Sequence, residues 1–280
     1  MDANYEARRR IFALPFLTET HQMKRTLAIF FLLAFSLTPM MAQDDRLDEL
    51  GFEEAPLKDE PIPYFAVGVG PVLNVAFPNI DDVNARAVEL GLDEMKTPML
   101  QWGVEIFSAI GVIPNVRAGF SWVNGEVKTN KSMTIDGQSV DRAMNYDMSL
   151  ATIYADYAIV PTKGLAILPG LGFGWGTQTI TTYQGVADRA WTDYADSTSI
   201  NTSPDAFSEL ENGVLYLVPR VNLEYAVTPF IGVRAQAAYT WQFSSGTWNG
   251  NRTSTVSGVP DGISVSAFSA QVGVFVGLFN

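Results

Sequence analysis

The 280-residue sequence has no cysteine, which excludes a disulfide, a thiolate site and a lipid anchor at Gln43. Its single histidine, His21, lies ahead of a basic-then-apolar leader, so the processed chain has no imidazole. Ser-His and Asp-His hydrolysis and His-dependent acyl transfer are excluded on that ground. Aspartates and glutamates remain, but no spacing among them singles out a catalytic pair or a calcium loop, and no catalytic, cofactor-binding or metal-ligating residue is expected. Basic residues are also scarce, 18 against 30 acids, and the resulting net charge of −12 disfavours nucleic acid as a partner. A helical membrane span of ~20 apolar residues is missing too.

What the N-terminal region does contain is a leader. Met23-Lys24-Arg25 forms a short basic segment, Leu27 to Leu37 an apolar run, and Met40-Met41-Ala42 a small-residue cleavage site before Gln43. Residues 1–42 are therefore read as a signal peptide, with Met1 or Met23 as the start. They hold five basic and three acidic residues, so losing their net +2 leaves −14 on the mature chain. Residues 43–62 carry eight acids against Arg46 and Lys58, with Pro56 and Pro61. Such a segment buries too little apolar surface to order itself, and it reads as an acidic periplasmic tail before a domain at 63–280.

From Pro63 onward the hydrophobic period is two, the repeat of a β-strand with one apolar face. Eight strands are predicted. The first, Tyr64 to Phe77, sets Phe65, Val67, Val69, Leu73, Val75 and Phe77 against Ala66, Gly68, Gly70 and Asn74. Met99 to Ile110 sets Leu100, Trp102, Val104 and Ile106 against Gln101, Gly103 and Glu105. Val116 to Val123 places Arg117, Gly119 and Ser121 opposite Phe120 and Trp122. Tyr146 to Val160 places Asp156 opposite Ile153, Tyr157 and Ile159. Leu165 to Gly176 opposes Leu171, Phe173 and Trp175 to Gly170, Gly172, Gly174 and Gly176. Val214 to Ala226 carries Arg220, Asn222 and Glu224 on its polar parity, and Phe230 to Phe243 carries Arg234 and Gln236. The eighth, Phe268 to Asn280, has an unbroken stripe of Phe268, Ala270, Val272, Val274, Val276 and Leu278.

Connections alternate in length. Short links at 111–115, 161–164 and 227–229 alternate with long ones at 78–98, 124–145, 177–213 and 244–262. On the apolar parity, Trp102, Trp122, Trp175 and Trp241 fall at the long-loop ends of their strands and Phe65, Tyr157 and Tyr225 near the short-turn ends. Two aromatic girdles, an even strand count and loops sorted by length are the marks of a transmembrane barrel. The pattern over 64–280 resembles the eight-stranded OmpA and OmpX type of outer-membrane β-barrel. The resemblance implies an all-β, antiparallel up-and-down barrel in the Gram-negative outer membrane, reached after cleavage near Ala42. It also implies that Phe279 acts as an assembly signal read by the barrel assembly machinery, although Asn280 follows it. The peptidoglycan-binding domain of the larger OmpA-like members has no counterpart in the sequence.

Eight strands enclose a space about one side chain wide. The inward parity carries Glu105, Arg117, Asp156, Arg220, Glu224 and Arg234, which are expected to pair into a salt-bridge network plugging the lumen; the alternative is that they line a narrow pore. The inward glycines either receive large residues such as Tyr64, Tyr216 and Phe275 or leave an upper cavity for an acyl chain. In the first long loop Ile80, Val83, Ala87 and Leu90 follow Asp81 and Asp82 at helical spacing and predict a short helix capping the mouth. Asp136-Gly137 and Asn249-Gly250 predict hairpin tips that carry the second and fourth loops above the membrane. The third loop, with Asp188, Asp193, Asp196, Asp205, Glu209 and Glu211, reads as a solvated acidic segment. The expected role is structural, or a cell-surface interaction through the extracellular loops, with outer-membrane lipid and an extracellular or periplasmic protein as partners and no cofactor. A small-solute or ion channel and an accessory part of a secretion machinery are the alternatives. A lipocalin-like soluble carrier is disfavoured because Gly, Gln, Glu and Arg share the inner parity.

Overall fold

The computed structural model describes residues 64–135, 137–186 and 205–279. The leader, the acidic tail, Asp136, Asn280, and Asp188, Asp193 and Asp196 of the third loop lie outside the described residues. The elements are β1 (Ala66–Pro78), α1 (Asp81–Glu89), β2 (Met99–Ala109), β3 (Val116–Ile135), β4 (Gln138–Tyr157), β5 (Ile159–Thr162), β6 (Leu165–Val186), β7 (Ala206–Thr228), β8 (Ile231–Ser245), β9 (Trp248–Gly250), β10 (Ser254–Val256) and β11 (Ala267–Phe279).

Eight of these close on themselves. The order β7-β8-β11-β1-β2-β3-β4-β6 returns to its start through the pairing of β6 with β7. Every neighbour in the ring is antiparallel, from Ala66 opposite Phe279 at one seam to Gly174 opposite Tyr216 at another. Closure leaves the ring without an open edge at membrane depth, where no water could satisfy an unpaired peptide group. The short β5 continues β4 past a break at Ala158, and β9 with β10 forms a small hairpin against the top of β7.

Strand lengths divide the ring into two sides. β1, β2, β8 and β11 have 13, 11, 15 and 13 residues. At ~3.3 Å per residue and a tilt of ~40°, thirteen residues cover roughly 30 Å, about one hydrocarbon core. β3, β4, β6 and β7 have 20, 20, 22 and 23 residues. They stand roughly 20–25 Å further, as a four-stranded wall.

The β3–β4 hairpin runs to its tip at Ile135–Gln138, beside Gly137 at φ 82°. Two sequence expectations change. Much of 177–213, read as loop, is strand, because β6 and β7 continue pairing from Thr177–Gly213 to Gln184–Ala206. Asn249 and Gly250 sit in β9, and the turn falls at Asn251 and Arg252, with φ of 47° and 62°. The turn is fixed there by Asn251, whose amide donates to Glu209 O at 2.7 Å while its side-chain oxygen accepts from the Glu209 amide at 2.8 Å.

α1 forms where the helical spacing predicts it. Asp81 and Asp82 occupy the first turn, where they favour the helix dipole. The helix ends at Gly91, whose φ of 77° suits the left-handed turn after a helix. It buries Val83 and Ala87 against the mouth of the ring.

Candidate functional site

Inside the ring the structure brings six charged side chains together. Arg117 pairs with Asp156 at 2.8 Å and Glu224 at 2.5 Å. Arg220 pairs with Glu105 at 3.0 Å and Asp156 at 3.2 Å. Arg234 pairs with Glu105 at 2.6 Å and more loosely with Glu224 at 3.9 Å. The contacts make a closed cycle, Arg117–Asp156–Arg220–Glu105–Arg234–Glu224, alternating in sign around the lumen. None of the six is more than 5% exposed. With three charges of each sign the cycle is neutral, and no member is left as a lone buried ion, the case that costs most.

Neutral groups complete the plug. Tyr64 donates its hydroxyl to Glu224 at 2.8 Å and accepts from Arg117 at 3.1 Å. Asn222 donates to Asp156 at 3.3 Å and to the Leu168 carbonyl at 3.2 Å, and Gln271 donates to Glu105 at 3.0 Å. Arg220 lies over the Tyr154 ring at 3.6 Å, and Arg234 between Phe275 at 4.1 Å and Phe107 at 4.8 Å. These aromatic faces attract the guanidinium groups on the sides where no carboxylate reaches. Phe107 and Tyr154 do lie on the inward parity of their strands, and that was the available signal.

Above the ionic cycle is a polar shelf. Asn74 donates to Gln101 at 2.6 Å, and Thr152 and the Tyr216 hydroxyl lie 3.0 Å apart. Higher still, the lumen turns apolar. Met99, Met144, Tyr146, Met148, Ile180 and Val214 form a collar, closed from above by Ile80, Val83 and Ala87 of the α1 segment and by Ile263 and Val265 of the fourth loop. Polar clips hold this cover. Asn84 and Met95 exchange two hydrogen bonds, Arg142 donates to the Leu90 carbonyl, and Lys131 pairs with Asp93 at 2.9 Å.

The inward glycines are covered rather than open. The Tyr216 ring lies over Gly174, and the Phe279 ring over Gly232. Phe279 is buried on the inner parity, close to Phe107 at 6.2 Å between ring centres, while Leu278 is the last residue of the outward stripe.

The outer surface has the opposite polarity. Trp102, Trp175 and Trp241 are exposed at one level and Phe65, Tyr157 and Tyr225 at another, with Leu73, Val104, Leu171, Val221 and Val272 exposed between them. Trp122 faces outward beside Trp102, edge-on at 6.0 Å, and donates its indole N–H to Ser149 Oγ at 3.1 Å. A charged interior inside an apolar belt about one hydrocarbon core tall, bounded by aromatic residues, is stable only in lipid. The chain is an eight-stranded transmembrane β-barrel.

No family model matches the sequence, and no curated protein matches it. Among solved structures the barrel aligns with Ail, the attachment invasion locus protein of Yersinia pestis, at 8% identity over 77% of this chain and 99% of Ail, with a TM-score of 0.32. It aligns with neisserial surface protein A at 13% identity over 76% of this chain and 96% of that one, TM-score 0.35. CarO of Acinetobacter baumannii aligns at 11% identity over 74% and 96%, TM-score 0.33. At that level of similarity the closed ring and inverted polarity of this barrel decide its fold, and the alignments add nothing about its role.

Proposed function

We propose that this protein is an integral outer-membrane barrel with a sealed lumen, acting at the cell surface through the wall and loops above the membrane rather than by transport or catalysis. The observation that carries the reading is the buried six-residue ion cycle. It crosses a lumen about one side chain wide, and each arginine bridges carboxylates on other strands, so a continuous water path would require several buried pairs to part together. The capped mouth supports the same reading, since α1 and the fourth loop would also have to move. Just above the belt the outer face of the wall is polar, with Glu126, Asp147, Thr179 and Glu211 in one cross-strand row, as suits contact with water, sugar or protein rather than acyl chains.

The test is electrical. Purified protein reconstituted in planar bilayers is expected to give no steady, sizeable conductance. Removing Arg220 leaves Glu105 and Asp156 each short of a partner and is expected to bring flickering current. Large, reproducible, ion-selective openings from the unmutated protein would overturn the sealed-lumen reading and make the same six residues the constriction of a narrow channel.

A further inference from the structure

Between the ionic cycle and the apolar collar lies a void of about 40 Å³. Its lining is graded in polarity. Asn74, Gln236 and Arg220 contribute polar groups, and Met148, Leu150 and Val265 contribute apolar ones that belong to the collar. Two side-chain acceptors there, Asn74 Oδ1 and Gln236 Oε1, have no hydrogen-bond partner among the described residues. Asn74 is 7% exposed, and its one amide bond donates to Gln101, so its carbonyl oxygen is a buried acceptor still to be met. Buried acceptors of this kind are costly unless something donates to them.

The collar above is rich in methionine. Met95, Met99, Met144 and Met148 are all buried in it, and unbranched thioethers repack around differently shaped guests more readily than branched residues do. Its cover is made of two loop segments rather than of the wall itself. These segments meet where Asp82 of α1 touches Gly262 of the fourth loop, and a Cβ placed on Gly262 would come 3.2 Å from Asp82 Cγ.

We infer that the extracellular half of the lumen is a lidded pocket for a single-chain amphiphile, with a hydroxyl or amine head donating to Asn74 or Gln236 and an alkyl tail replacing the lid's side chains in the methionine collar. The polarity order fixes the orientation, head toward the ionic cycle and tail toward the mouth. The ionic floor stays shut throughout, so this inference and the sealed-lumen reading stand or fall on separate measurements.

The experiment uses the barrel in lipid nanodiscs, with empty nanodiscs as blank, and displacement of N-phenyl-1-naphthylamine fluorescence by 1-decanol or by decane. Wild type is expected to bind the dye saturably and to release it to 1-decanol at concentrations at least tenfold below those needed with decane. Because the chain has no cysteine, Asp82→Cys with Gly262→Cys gives a single disulfide that ties the two lid segments together. Oxidised, this variant is expected to lose binding, and reduction is expected to restore it, which separates lid closure from misfolding. Asn74→Leu with Gln236→Leu is expected to abolish the preference for 1-decanol while dye binding persists. No saturable binding by wild type, equal binding by the oxidised variant, or equal potency of decane and 1-decanol on wild type would each overturn the inference.

Discussion

The ion cycle makes an ordered prediction, because its three arginines are not equally supported. Arg117 is the best connected: it reaches Asp156 at 2.9 Å through Nε, Glu224 at 2.5 Å and the Tyr64 hydroxyl at 3.1 Å. Arg117→Met leaves Asp156 with Arg220 and Asn222, but leaves Glu224 with only Tyr64 and an arginine 3.9 Å away. A buried carboxylate stripped of its close cation costs about 3–5 kcal/mol. Arg234→Met is milder, since Glu105 keeps Arg220 at 3.0 Å and Gln271 at 3.0 Å. The loss is then one charged contact with its aromatic stacking, about 1–3 kcal/mol. The gap of about 2 kcal/mol is roughly 30-fold in the folding equilibrium. Urea titration in lipid vesicles, followed by tryptophan fluorescence, reads both variants against wild type. Adding Glu224→Gln to Arg117→Met is expected to recover about 1–2 kcal/mol by removing the stranded charge. The reasoning fails if Arg234→Met is as damaging as Arg117→Met, or if both lie within 1 kcal/mol of wild type.

Three further outcomes test the rest of the reading. Val272→Arg, opposite Leu73 in the middle of the apolar belt, is expected to cost about 2–4 kcal/mol, whereas Val233→Arg, beside Tyr225 at the lower girdle, costs about 0–1 kcal/mol; equal costs would mean the belt is misplaced. Asp147 lies outside the belt, with its carboxyl held above the usual range chiefly by partial burial and then by Glu126, against the pull of Lys128. A carboxyl raised on folding binds its proton more tightly in the folded state, so it costs nothing below its unfolded pKa and destabilises increasingly as pH rises through the raised one. Asp147→Asn should therefore raise the thermal midpoint at pH 7 and leave it unchanged at pH 3. The purified barrel should need detergent and migrate differently on gels before and after boiling; a water-soluble monomer without detergent would contradict the exposed belt.

The parts of the site that were legible are those where a strand alternates between two strongly different solvents. Arg117 and Asp156 sit on the parity opposite Phe120 and Ile153, and lipid tolerates no such charge, so the inward direction follows. The closed order of the ion cycle was not legible, because it depends on strand tilt and register: Arg117 meets Glu224 across 107 residues and the width of the lumen. Tyr64 is expected inside as a large residue received by the glycines, but the place of its hydroxyl between Glu224 and Arg117 again depends on register across the lumen.

The extension of β6 and β7 is hidden because the alternation changes phase, as it also does on β3 and β4, where the Asp136-Gly137 turn signal predicts the extension; the change itself has a physical meaning. On β4, Ile153 and Tyr157 face outward and are apolar, whereas a few residues earlier Met148, Tyr146 and Met144 are apolar and face inward, with Asp147 and Asn145 outward. On β6 the outward Phe173 and Trp175 give way to outward Thr177, Thr179 and Thr181, while Ile180 turns to the core. On β3, Phe120 and Trp122 give way to outward Glu126 and Lys128 around an inward Val127. A pattern search that assumes one phase per strand reads such a segment as an ended strand followed by a loop. The inversion is what a strand requires when it passes from lipid, where the greasy side faces out, into water, where it must face in. The changes fall at registered positions, between Trp122 and Glu126, Ala151 and Asp147, and Trp175 and Thr179. Joined across the sheet they trace the outer surface of the membrane on this barrel, and they place the methionine collar and its lid just above that surface.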